Sequence, residues 1–262
     1  MSTVEKLDRL IADQLRAKLP RGAVIGRQIV VLEQTGSTND AIFQIASPQG
    51  AAVSLGRRSL GEGRSLPAVA SAKEGPPPLI DEGLVVFAEH QTAGRGQRGN
   101  RWESTAGKCL SFSILLRPNI QLSDSGRLTI WAIEAVSDMI RIEFGLEPAI
   151  KLPNDVQING RKVAGVLVEM RAQNKAPHLA VVGIGINVNQ SRDDFPTELQ
   201  DRATALAITL GRQVDRQKFA VALLRNLDLT YREEFSKSVP AFNSPPVPTT
   251  RRDKRAAKSP TV

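Results

Sequence analysis

The stretch Gly94-Arg95-Gly96-Gln97-Arg98-Gly99-Asn100-Arg101 places three glycines and three arginines in eight residues. Glycine lets the backbone turn sharply and brings its N–H groups close to a ligand. Arginine supplies fixed positive charge in a planar fork that suits phosphate and carboxylate. The apolar, partly β-branched run 84–88 just ahead reads as a buried strand. A strand that opens into such a loop is built to hold an anion. By itself the loop is also compatible with a basic surface segment or an Arg/Gly stretch that touches RNA.

Three more stretches carry candidate chemistry. Gly36-Ser37-Thr38-Asn39 lies upstream. Lys151-Leu152-Pro153-Asn154-Asp155 lies downstream, followed by Asn159-Gly160-Arg161-Lys162-Val163-Ala164-Gly165-Val166-Leu167-Val168-Glu169. The last is Val182-Gly183-Ile184-Gly185-Ile186-Asn187-Val188-Asn189. Four separated motifs in this order resemble the catalytic domain of biotin protein ligases (biotin–[acetyl-CoA-carboxylase] ligases), over roughly residues 28–235.

The resemblance implies a reaction and a set of roles. Biotin's carboxylate would attack the α-phosphate of ATP, releasing pyrophosphate. The biotinyl-adenylate would then acylate a lysine of a biotin carboxyl carrier protein. Ser37, Thr38, Asn39 and Gln91 are expected at the ureido head, where neutral donors and acceptors suit an uncharged ring. Gly94, Arg95, Gly96 and Gln97 are expected around the biotin carboxylate, with Arg95 as the main cation. Lys151 would bridge carboxylate and phosphate, making Arg95 and Lys151 the catalytic pair. Arg98, Gly99, Trp102 and Asn187 are expected on the nucleotide. Gly165 and Gly185 would let two strands approach the ligand closely. Asp155 would help a metal or orient the incoming lysine. Mg²⁺ is expected on the triphosphate, and no Cys/His cluster at metal spacing suggests a metal site in the protein itself.

Several of these residues have plainer readings. Asn154 and Asp155 after Pro153 suit a turn. Gly165 suits a bulge, Gly183 and Gly185 suit tight packing, and Trp102 suits a core position under the loop. Lys162 reads as a solvated hairpin lysine. The chain also departs from the family pattern. Leu152 stands where tryptophan is common, and Gln97 and Asn100 stand where arginine is common. Gln97 can bond phosphate but carries no charge, which would weaken the hold on the adenylate.

Elements that position these residues follow from periodicity. A helix is expected over 4–19, with Leu7, Leu10, Ile11 and Leu15 at helical spacing and Pro20 as its end. Strands are expected over 29–33, 84–88, 109–116, 149–152, 156–158, 162–170 and 179–188. Asn159-Gly160 marks a hairpin. Helices are expected over 40–46, 124–144 and 216–235. Between 48 and 78 there are five prolines and five glycines, so 47–82 reads as a disordered insertion. The class is α+β, a mixed, mostly antiparallel sheet flanked by helices. The catalytic domain is expected over 1–238, and 239–262 reads as a Pro-rich, basic, disordered tail.

The chain has 262 residues and a net charge of +8. Residues 251–262 hold +4 of that excess, so the remainder is ordinary for a protein that handles anions. The single cysteine, Cys109, lies in an apolar run and reads as a small buried hydrophobe. One cysteine allows no internal disulfide, which fits a cytoplasmic compartment. No signal region or membrane span is expected. Only 27 residues precede Gln28, too few for a winged-helix DNA reader. The small barrel that follows the last helix in many relatives is not recognisable. Two rival functions are a lipoate ligase-type acyl transferase of the same fold and a nucleic-acid-binding module.

Overall fold

The computed structural model describes residues 8–46, 82–172 and 177–235. The expected insertion, except for residue 82, and the expected tail lie outside the described residues. In order, the elements are α1 (Ala12–Ala17), β1 (Gln28–Thr35), α2 (Thr38–Ile45), β2 (Leu84–Gln91) and β3 (Cys109–Leu116). Then come α3 (Ser125–Phe144), β4 (Ala149–Lys151), β5 (Asp155–Ile158), β6 (Arg161–Arg171), β7 (Leu179–Asn187), α4 (Leu206–Leu210) and α5 (Arg216–Glu234). The strands form one seven-stranded sheet in the order β1-β2-β3-β7-β6-β5-β4. Only β1 and β2 pair in parallel; the other pairs are antiparallel. The mixed, mostly antiparallel sheet expected from the sequence is what forms.

The two faces of the sheet are covered unequally. On one face α3 and α5 pack over Val85, Phe87, Phe112 and Ile114 in a single large core. Trp131 is buried there, with its ring against Tyr231 and Phe235. On the other face α2 lays Ala41 and Ile42 on Leu84, Val86, Leu115 and Val181. This second layer is short, and the cleft described below continues the same face.

Local chemistry sets the ends. Gly145 closes α3 at φ 64°, in the left-handed region that favours glycine. Asn159 and Gly160 both have positive φ, at 51° and 74°, as a two-residue hairpin turn requires. After that turn β6 carries a bulge. Asp155 pairs with Gly165 and Val156 with Ala164, but Gln157 pairs with Lys162, so Val163 is the extra residue. An extra residue reverses the in–out alternation on one side of it. Lys162 therefore shares a face with Gly165.

The expected helix over 4–19 is corrected. Among the described residues only Ala12–Ala17 is helical, and residues 8–11 are not. Tertiary partners claim that segment. The Leu10 N–H donates to Glu89 Oε1 at 2.9 Å and the Ile11 N–H to Gln217 Oε1 at 2.9 Å. Arg216 donates to the Asp8 carboxylate and to the Asp8 carbonyl. The short helix α4 was not anticipated.

Candidate active site

Beside α2, on the face it covers, lies an open cleft. Its floor is Gly183 and Gly185 on β7 with Gly165 on β6. Gly183 and Gly185 are required by close approach. A Cβ on Gly183 would lie 2.3 Å from Asn39 Oδ1, and one on Gly185 2.5 Å from the Trp102 indole. A Cβ on Gly165 would lie 2.9 Å from Lys162 Nζ.

The three glycines also order the walls. Above Gly183 stands a neutral polar group built on the first turn of α2. The Thr38 N–H donates to Gln91 Oε1 at 2.8 Å, and the Thr38 hydroxyl donates to the same oxygen at 3.2 Å. Ser113 Oγ lies 2.8 Å from Thr38 Oγ1 and 2.6 Å from Asn39 Oδ1. Asn39 Nδ2 donates to Glu169 Oε2 at 2.6 Å. Two residues along β7, about 7 Å at strand spacing, Gly185 and Gly165 underlie Trp102 and Lys162. Lys162 Nζ is 5.6 Å from the Trp102 ring centroid and 2.6 Å from Asp155 Oδ1.

The Gly/Arg loop folds back as a small hairpin. Trp102 N donates to the Gly94 carbonyl at 3.0 Å and Gly96 N to the Asn100 carbonyl at 2.7 Å, with Arg95 bridged to Arg101. A Cβ on Gly94 would meet the Trp102 carbonyl at 2.5 Å, so this approach too requires glycine. The tip is a 3-10 turn over Gln97–Gly99 with Arg98 at φ 58° and Gly99 at φ 79°.

Most of the expected site residues come together. Ser37, Thr38, Asn39, Gln91, Arg95, Gly96, Trp102, Gly165 and Gly185 all line the cleft. Gly94 shapes it from behind. Gln97, Arg98 and Gly99 sit at the hairpin tip and do not line it. Lys151 is on the same strand row as Asp155 and Gly165, but exposed on the edge strand β4 and outside the cleft. Asn187 is buried below, donating to the Thr204 carbonyl at 3.0 Å and accepting from Gln190 at 2.8 Å. Arg95 reaches the cleft with its guanidinium committed to Asp40 at 2.8 Å and Glu169 at 2.9 Å.

Lys162 corrects the reading of a solvated hairpin lysine. It lines the cleft, two-thirds buried, because the bulge at Val163 turns it inward. A bulge leaves little trace in apolar alternation, though the pair Asp155 and Lys162 across a hairpin was a usable signal. Asn154 also lines the cleft; its side chain donates to the Val166 carbonyl at 2.8 Å, which makes it more than a turn residue.

The chain's buried polar atoms without a partner, among the described residues, are Trp102 Nε1, Ser111 Oγ, Gln190 Oε1 and Thr204 Oγ1. They share one end of the sheet: Ser111 pairs with Gly185, and Gln190 and Thr204 flank Asn187. Only Trp102 of the four lines the cleft, so the other three are internal to this end. Cys109 lies beside it, but burial pushes its thiol up to about 11, with the Thr105 backbone hydrogen bond opposing. It stays a protonated, inert thiol.

Comparison with known proteins places the chain in a family. The biotin/lipoate A/B protein ligase family model matches residues 76–187. The chain is 34% identical over 227 residues to the biotin–[acetyl-CoA-carboxylase] ligase of Mycobacterium tuberculosis, covering 84% of this chain and 69% of the relative. The chain belongs to the biotin protein ligase family. It is also 41% identical over 152 residues to the bifunctional ligase/repressor BirA of Bacillus subtilis, covering 58% of this chain. It spans 47% of that relative's length, about half. Among solved structures it is similar to the biotin protein ligase from Aquifex aeolicus in complex with biotin and ATP, at TM-score 0.59 and 26% identity. That match covers 81% of this chain and 73% of the other. The matched segment 76–187 contains the Gly/Arg loop and Gly165, Gly183 and Gly185. Among the described residues, no group of three His, Cys, Asp or Glu side chains could hold a metal ion. Asp155, beside the cleft, is paired with Lys162. Among those residues, too, no helix is long and apolar enough to cross a membrane.

Proposed function

We propose that this chain is an ATP-dependent biotin protein ligase. It joins biotin's carboxylate to the α-phosphate of ATP, releasing pyrophosphate, and passes the biotinyl group to a lysine of a carrier protein such as an acetyl-CoA-carboxylase subunit. The observation that carries this reading is the order of groups along β7. Neutral donors and acceptors stand over Gly183, and a lysine and an indole stand over Gly185 and Gly165. A ligand with an uncharged urea head and an anionic tail matches that order.

The first step brings two anions together. Two unit charges about 4 Å apart repel by roughly 4 kcal/mol at an effective dielectric near 20. Unscreened, that repulsion costs on the order of a thousandfold in rate. Lys162 is the cation that offsets it, lining the cleft with its ammonium 5.6 Å from the Trp102 ring centroid. Asp155 holds the ammonium in place. Trp102 offers an indole face to the nucleotide base. Magnesium enters on ATP rather than through a cage of the protein's own side chains. The compartment in this reading is the cytoplasm.

The test is ATP–pyrophosphate exchange with biotin and, separately, with lipoate. Exchange dependent on biotin is expected. Exchange with lipoate alone would turn the assignment to the other branch of the family.

A further inference from the structure

The Gly/Arg loop is one wall of the cleft, lined there by Arg95, Gly96 and Trp102. Its base is fixed where the Ala93 N–H donates to the Gly36 carbonyl at 2.9 Å. Beyond that point its backbone bonds, Gly96 to Asn100 and Trp102 to Gly94, close the hairpin on itself. Side chains fasten it to other elements. The Trp102 indole lies on Gly185. Arg95 Nη2 donates to Asp40 Oδ1 at 2.8 Å and to Glu169 Oε2 at 2.9 Å. Asp40 is in the first turn of α2, which also carries Thr38 and Asn39 into the cleft. Glu169 is on β6, two residues beyond Leu167, which lines the cleft. One guanidinium therefore pins the loop to both a helix and a strand.

The charges also say what Arg95 is not. One guanidinium against two carboxylates leaves the group with an excess of negative charge. An anion that sought Arg95 would have to displace both partners and would then face them. We infer that Arg95 is a positioning residue: with Asp40 and Glu169 it latches the Gly/Arg loop against α2 and β6, and it is not the cation for the ligand's anionic group. While the latch holds, the loop wall stands and slows release of a bound ligand. Arg95 is 41% exposed and Asp40 54%. Ion pairs so exposed are individually weak and are screened by salt. That suits a latch that must open to admit and release ligand.

The inference rests on the proposed biotin site for its ligand, but its first readout needs none. The full chain, Asp40→Asn, Arg95→Gln and the double variant are treated with trypsin without ligand. Cleavage after Arg98 and Arg101 is followed by mass spectrometry. Biotin dissociation rates of the same four proteins are then measured by stopped flow. Glu169 stays native throughout, since it also holds Asn39. Both single variants are expected to be cut, and to release biotin, up to about fivefold faster than the native chain, the scale of exposed ion pairs. The double variant should match Arg95→Gln, because Asp40 acts only through Arg95. At about 1 M salt the native chain should approach the variants. If Arg95 met the anion instead, Asp40→Asn would free its guanidinium, and biotin would be held as long or longer. That result, or native cleavage rates in both single variants, overturns the latch. A native chain that does not bind biotin would overturn the biotin reading, and the cleavage rates alone would then decide the latch.

Discussion

Lys162 and Lys151 differ by what surrounds them. Lys162 has Asp155 on one side, the Trp102 ring on another and a glycine floor below. Lys151 stands exposed on an edge strand. Lys162→Ala should cut biotin-dependent pyrophosphate exchange by at least about tenfold, from loss of a charge-assisted contact of roughly 1.5–3 kcal/mol. Lys151→Ala should cost less. Exchange rates of the two purified variants check the ranking. Asp194 allows a pH prediction. Burial pushes its carboxyl up, but hydrogen bonds from Lys108 and from the Ser191 N–H and hydroxyl outweigh that and hold it below its ordinary 3.8. A depressed carboxyl contributes stability that is present above the unfolded value and lost as pH falls through the folded one. Lys108→Met should therefore destabilise the chain near neutrality, and the gap from native should narrow in acid below 3.8. Urea denaturation across that range measures it.

Arg216 does the equivalent work for whole elements. It is almost fully buried at the start of α5, with Nη1 2.8 Å from Glu89 on β2 and Nε 3.1 Å from Asp8. It also bonds the Cys109 carbonyl at 2.9 Å. One side chain thus ties α5, β2, β3 and the segment ahead of α1. Arg216→Leu would strand Glu89 as a buried, uncompensated charge, at a cost of roughly 3–5 kcal/mol. Chemical denaturation is expected to show that loss, and adding Glu89→Leu should recover part of it, since the unpaired charge is the larger penalty.

At the scale of the molecule, the residues that line the cleft lie between Ser37 and Gly185, and the described chain closes with α5 packed on α3. Residues 240–262 contain five prolines and few large apolar side chains. A chain ending at residue 238 should keep its melting temperature and its exchange rate. The removed cluster Arg251–Arg255 carries positive charge that can steer an acidic carrier, an effect screened over about 8 Å at physiological salt. Transfer to an acidic carrier should slow in the shortened chain at low salt and match the full chain at high salt. Stopped-flow transfer at two ionic strengths separates these outcomes.

What the sequence determined by itself was local. The apolar runs of β2 and β3, the Asn159-Gly160 turn and the Gly145 stop of α3 are set by residue type and short-range sterics. So the class, the strands and the order of motifs were legible, and most of the cleft's lining came with them. Tertiary structure decided whatever depended on a distant partner. Residues 8–11 left the helix because Glu89, Gln217 and Arg216, between 79 and 208 positions away, take their polar groups. Arg95 turned from free cation to paired one because Asp40 and Glu169 meet it across 55 and 74 positions. Lys162 entered the cleft because one extra residue in β6 reversed its face. Periodicity along the chain reports which residues prefer burial; it does not report pairing register, and register chose which lysine faces the ligand.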